Sequence, residues 1–185
     1  MSRISPKPLS EYPWIIRWVL KRQQRVYGQV LEPAWLWGRL PGAFLGMLAM
    51  LGLFNRKRYP VDRRLRSLLS IRVAQLTGCS FCVDLNAYNF LQSRGEADKA
   101  EQVAEWRESE IYSPAERAAL DWAEQMTVHC AGIDDQTIDR LRPHFNDDEI
   151  TALSAWIGFQ NLSARFNAAL GAQAHGFCAR PERQD

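Results

Sequence analysis

The sequence predicts an all-α fold, and three observations carry that expectation. No segment sustains the alternation of apolar and polar residues that a half-buried strand requires. Apolar residues recur instead at helical spacing. Two helix starts carry the residues of a capping box.

Residues 12–27 hold Trp14, Ile15, Trp18, Val19 and Leu20 among arginines and a lysine, an amphipathic first helix. Pro33 and then Pro41-Gly42 punctuate the chain after it. Residues 43–54 (AFLGMLAMLGLF) are the most apolar stretch. A bilayer span needs roughly 20 such residues, and Arg39 and Pro41 close off any upstream extension, so a buried helix is expected here. Residues 55–58 are basic and lead through Pro60 into the next helix. There Leu65, Leu68, Leu69, Val73 and Leu76 form one apolar face, and the helix stops near Thr77-Gly78. Cys79 follows at once, which puts Cys79-Ser80-Phe81-Cys82 in the first turn of another helix. That helix carries Val83, Ala87, Phe90 and Leu91 and stops at Ser93-Arg94-Gly95.

Ser113-Pro114-Ala115-Glu116 combines a capping box with proline at the first helical position. It opens a helix with Ala119, Trp122, Ala123 and Met126. Asp134 starts a short helix with Ile138 and Leu141. Asn146-Asp147-Asp148-Glu149 is the second capping box and opens the longest helix, with Ile150, Leu153, Ile157, Asn161 and Ala164 on one side, ending at Gly171. No linker separates two folded halves. The chain is therefore expected to divide into an N-terminal helical extension over residues 1–38, a core domain over residues 39–178 and a polar, disordered tail over residues 179–185.

A chain of 185 residues can bury a real core without disulfides or metals. Its net charge of +2 makes no case for nucleic acid as the main partner. Basic residues gather at Arg56-Lys57-Arg58 and at Arg63, Arg64 and Arg66. These read as a solvated face or loop, with an acidic-partner site as the alternative. Four cysteines do not make a disulfide scaffold in a chain this long. The first ten residues carry no apolar signal segment, so a cytoplasmic protein, off the membrane, is expected.

In that compartment a C-x-x-C is more often redox-active or metal-binding than structural. A free thiol has a pKa of about 8.5 and is sluggish at neutral pH. A helix N-terminus stabilises the thiolate through its unpaired N–H groups. The thiolate can attack a peroxide oxygen to give a sulfenic acid, the second cysteine can condense with it to a disulfide, and an external dithiol can restore the pair. Zinc is a rival, but tetrahedral closure needs two further ligands, and Cys130, His129 and Cys178 do not supply a second paired motif. Two buried, inert cysteines are the plain structural reading. No histidine or glutamate lies within ten residues of either cysteine.

Residues 65–82 (LRSLLSIRVAQLTGCSFC) resemble the core of the carboxymuconolactone decarboxylase / AhpD-like family, above all in the Arg-Val-Ala-Gln run before Gly-Cys-x-x-Cys. Residues 113–124, 145–150 and 161–171 resemble it as well. The resemblance spans roughly residues 40–172. It implies an AhpD-like helical bundle that assembles into trimers or hexamers, with a dimer as the smaller alternative. It also implies alkyl hydroperoxidase activity coupled to a lipoyl-type or thioredoxin-like reductant, with peroxide as substrate; no cofactor and no metal are expected. By the family's pattern Cys82 is the peroxide-reactive thiol and Cys79 resolves it, whereas the helix dipole alone favours Cys79.

The chain departs from that pattern where the hydroperoxidases place a proton relay. The glutamate twelve residues before the first cysteine is Ser67, and the histidine four after the second is Asn86. A histidine found in some members just before the second cysteine is Phe81. Serine and asparagine do not titrate near neutrality but can hold a water. Substitute proton groups would be Asp84, read otherwise as a solvated surface acid, or His129, read otherwise as structural. Cys130 is expected to be packed in the interior. His144 and His175 look like loop or helix-end residues, and Tyr88 a core or interface residue.

The resulting expectation is a peroxide-reducing or disulfide-exchanging thiol oxidoreductase. The alternatives are a non-catalytic oligomeric or small-molecule-binding protein, and a lyase of the decarboxylase type, whose members generally lack the cysteine pair. Trp14, Trp18, Trp35 and Trp37 crowd the extension, as an oligomer interface or as packing on the same subunit.

Overall fold

The structure, a computed structural model, describes residues 2–177. Cys178 and the tail expected over residues 179–185 lie outside the described residues. Among the described residues there are nine α-helices and no strand. They are α1 (Trp14–Tyr27), α2 (Glu32–Trp37), α3 (Pro41–Phe54), α4 (Arg63–Leu76), α5 (Ser80–Gln92), α6 (Ala97–Glu101), α7 (Pro114–Val128), α8 (Asp135–Asp139) and α9 (Asp147–Ala169). Among the described residues no helix is long and apolar enough to cross a membrane.

The helix ends obey the capping logic of the sequence. Ser113 and Glu116 exchange side-chain and backbone bonds at the start of α7, and Asn146 and Glu149 do the same for α9. Asp62 caps α4 by accepting from the Arg64 and Leu65 amides at 2.8 and 3.4 Å. α4 stops at Gly78, whose φ of +71° is a left-handed conformation that a side chain resists. The Cys79 amide donates to the Ala74 carbonyl at 2.9 Å, closing the α4 end as α5 begins.

α4 is the central element and packs against α5, α7 and α9. Leu68, Leu69, Ile71 and Val73 are fully enclosed there, against Leu120 and Ala123 of α7 and Leu153 and Ile157 of α9. Glu124 ties this core together. Its carboxylate accepts from Arg72 of α4, from Trp106 Nε1 at 2.9 Å and from Arg107. Burial raises the Glu124 carboxyl, but these three donors outweigh burial and hold its pKa below the usual 4.5.

The first two helices pack on α3 and α9. Ile16 and Leu20 of α1 pack with Ala34, Trp37 and Phe44, and Trp37 stacks on Phe166 of α9 at 3.8 Å between ring centroids. Trp14 and Trp18 face outward, 72% and 57% exposed.

Two expectations need correcting. Residues 43–54 are helical but not buried: only Phe44 and Phe54 of α3 are enclosed, and Met50 and Leu53 are exposed. Apolarity alone does not tell a core helix from one that lies across the outside of a bundle. Cys130 is exposed, because it falls in a single 3₁₀ turn beyond the end of α7 rather than on a packed face.

Candidate functional site

Cys79 and Cys82 form a disulfide with a Cα–Cα distance of 5.2 Å. Cys79 is the N-cap of α5, and its Sγ accepts from the Cys82 amide at 3.2 Å. The motif thus uses a sulfur where a serine or aspartate oxygen ordinarily caps a helix. Both cysteines are buried, at 1% and 4% exposure, in a cluster with Leu31, Leu36, Ala74 and Ala164. Leu31 and Leu36, at the start of α2 and within it, therefore supply part of the cover over the pair.

The two sulfurs have different surroundings. Cys82 lines a cavity of about 330 Å³, and Cys79 does not. Asn167 of α9, 2% exposed, donates from Nδ2 to Cys82 Sγ at 3.4 Å, while its Oδ1 has no partner among the described residues. Asn86 donates from Nδ2 to the Cys82 carbonyl at 2.7 Å. Ser67, Phe81 and Asn86, the positions that depart from the family's relay, all line the same cavity as Cys82. None of the three carries a group that titrates near neutral pH.

The expected substitutes are elsewhere. Asp84 does not line the cavity; its Oδ2 accepts from the His175 and Phe177 amides at 2.9 and 3.1 Å. It is a half-buried anchor for the C-terminal segment rather than a solvated acid. His129 is exposed at the C-cap of α7, outside the cavity. His175 arrives beside the pair instead. Its ring packs edge-on against Phe81 at 5.3 Å and stacks on Phe177 at 5.7 Å, and its Nδ1 is buried without a partner among the described residues. Tyr88 packs on Phe177 as well.

Sequence reading missed the α9 wall. Gln160, Ser163 and Asn167 fall at i, i+3 and i+7, which puts them on one helix face, and all three line the cavity. A polar stripe inside a helix that also carries Trp156 and Phe159 was a legible signal, since Asn and Ser are weak helix formers that need a reason to be there. Arg66 was also missed. It is 4% exposed, not solvated like its basic neighbours, with its guanidinium carbon 5.0 and 4.8 Å from the Tyr59 and Trp156 ring centroids. Among the described residues, no cluster of His, Cys, Asp and Glu could hold a metal ion.

Comparison with known proteins gives a consistent set. The model of the carboxymuconolactone decarboxylase family matches residues 45–125. Over 177 residues the chain is 43% identical to YnjA of Escherichia coli (strain K12), covering 96% of this chain and 97% of that one. Its fold is similar to a solved AhpD-core, peroxidase-related protein from Ralstonia eutropha JMP134, with a TM-score of 0.84 and 22% identity over 95% and 94% of the two chains. It is also similar to the debrominase Bmp8, with a TM-score of 0.77 and 19% identity over 93% and 91%. A variant of that debrominase has been solved with 2,3,4-tribromopyrrole.

Proposed function

Because the chain belongs to the carboxymuconolactone decarboxylase family, we propose that it is a peroxidase-related thiol oxidoreductase that cycles Cys79 and Cys82 between dithiol and disulfide. The observation that carries the proposal is the disulfide at the start of α5, with one of its sulfurs, Cys82, on a cavity wall. That placement supports Cys82 as the attacking thiol, in agreement with the family pattern and against the dipole argument for Cys79.

In the reduced protein the Cys82 thiolate attacks the terminal oxygen of a hydroperoxide. An S–O bond forms, the O–O bond breaks, and the departing alkoxide takes up a proton to leave as the alcohol. Cys79 then attacks Cys82 Sγ. The S–S bond forms, the S–O bond breaks, and hydroxide leaves with the Cys79 proton as water. An external dithiol reduces the disulfide by exchange. The α5 N-terminus and the Asn167 amide favour the Cys82 thiolate. With Ser67 and Asn86 in the relay positions, protons move through water held in the cavity.

Stopped-flow mixing of the reduced protein with cumene hydroperoxide tests this. Thiol loss is expected to be at least ~10-fold faster than for free cysteine, the least that one positioned thiolate should gain. Cys82→Ser should abolish it, and Cys79→Ser should leave a sulfenic acid that dimedone traps. Loss no faster than for free cysteine, with Cys82→Ser indistinguishable from the parent, would remove the proposal and favour a non-catalytic binding role.

The likeness to a debrominase and the aromatic walls of the cavity, among them Trp37, Phe81 and Trp156, favour a second electron acceptor for the same pair. Two thiols and an aryl bromide balance to the disulfide, the arene, bromide and a proton. Bromide release from a bromopyrrole by the reduced protein measures it directly.

A further inference from the structure

The cavity beside Cys82 has an uneven charge. Arg66 and Arg63 line it, and among the described residues no aspartate or glutamate does. Arg66 is fixed by Tyr59 and Trp156 on its guanidinium and by an Nε bond to the Val61 carbonyl at 3.2 Å. That single bond leaves its two Nη groups without a hydrogen-bond partner among the described residues. Among those residues neither Arg63 nor Arg66 takes part in an ion pair, whereas Arg64 pairs with Asp62. A guanidinium held nine-tenths buried, with donors unspent and no ion pair among the described residues, the exposed Asp62 acting on its charge only from beyond ion-pair distance, is an anion receptor in geometry and charge.

The rest of the cavity is apolar on one side. Phe44, Met47, Leu48, Trp156 and Phe159 supply walls that suit a flat or compact carbon skeleton, and 330 Å³ is the size of a small-molecule site. We infer that the cavity binds a small organic acid with an aromatic or apolar body, its anionic group on Arg66 with Arg63 at the rim, and its reducible group presented to Cys82. The last clause rests on the redox function proposed above; the acid site itself does not. An acid with its reactive group at the far end of a rigid body would be oriented by Arg66 before any chemistry at sulfur.

Calorimetric titration of the full-length, disulfide-form protein tests the site without any electron transfer. The probes are 2-naphthoate and its neutral counterpart 2-naphthamide. The acid is expected to bind at least ~10-fold more tightly than the amide. Arg63→Gln should weaken the acid about two- to threefold and leave the amide unchanged. Arg66→Lys, which keeps the charge but not the planar fork, should weaken the acid about tenfold if the circular dichroism of the variant matches the parent. The acid–amide comparison on the unaltered protein stands whether or not that variant folds. Equal affinity for acid and amide, or binding of neither, overturns the inference. Because cumene hydroperoxide is neutral, its reaction with the thiols is independent of the acid site. A protein that oxidises rapidly with it yet ignores naphthoate loses the acid site and keeps the redox function; one that binds naphthoate but has inert thiols keeps the acid site alone.

Discussion

Cys82 and Cys79 share a disulfide but not a neighbourhood. One meets a cavity and the Asn167 amide, while the other caps a helix and is closed in. Glu124 is the other residue on which much depends, and its effect is on stability. A carboxyl whose pKa is lower in the folded chain than in the unfolded one contributes stability at pH above the unfolded value, and that contribution fades as pH falls through the folded value. Glu124→Gln is expected to cost about 2 kcal/mol at pH 7, since it leaves Arg72 and Arg107 without their shared anion. The cost should shrink in acid, so urea unfolding at pH 7 and again near pH 3 checks it, and an equal cost at both would argue that the carboxylate's charge is irrelevant. At this scale the cysteine pair was legible in the sequence, because its spacing is local, while Ser67 and Asn86 were singled out only through the family resemblance. Arg66 and Asn167 were not legible. Arg66 sits among exposed basic residues, and only its enclosure between Tyr59 and Trp156, brought in by separate elements, sets it apart.

At the scale of elements, the α4–Gly78–α5 junction sets the direction from which Cys82 meets the cavity. A Cβ built on Gly78 would meet no atom within 4 Å, so substitution there costs only backbone strain. Gly78→Ala is expected to destabilise by about 1–2 kcal/mol through its left-handed φ. That corresponds to a fall of roughly 2–8 °C in Tm for a chain of this size. Calorimetry measures it, and an unchanged Tm would show that the junction relaxes into another turn. The starts of α7 and α9 were readable because capping boxes are written in four consecutive residues. α2 and α6, of six and five residues, were not, since so short a helix leaves little periodicity to detect.

At the scale of the whole molecule, α3 is the anomaly. Fourteen residues without a charged or hydrogen-bonding side chain lie along the outside, with Met50 and Leu53 in solvent. Protein surfaces in water seldom leave such a stripe uncovered. We propose that a second copy covers it, in keeping with the oligomers that the family resemblance implies. Sedimentation velocity at micromolar concentration should then show an assembly, and Met50→Glu combined with Leu53→Glu should release the single chain. A parent protein that sediments as a monomer would refute the proposal. The stripe was legible in the sequence but not its place, because apolar residues alone do not separate a core helix from one on the outside.

The depth of the disulfide has a kinetic meaning. Both cysteines are at or below 4% exposure, and of the two only Cys82 lines the cavity, so a reagent reaches the pair through that cavity. Exchange requires an in-line attack on a sulfur atom, so whatever reagent reduces the pair must first fit the opening. If the pair cycles as proposed, the shape of the cavity mouth, as much as the potential of the disulfide, selects its reaction partners: a small thiol can enter, and a bulky one is turned away.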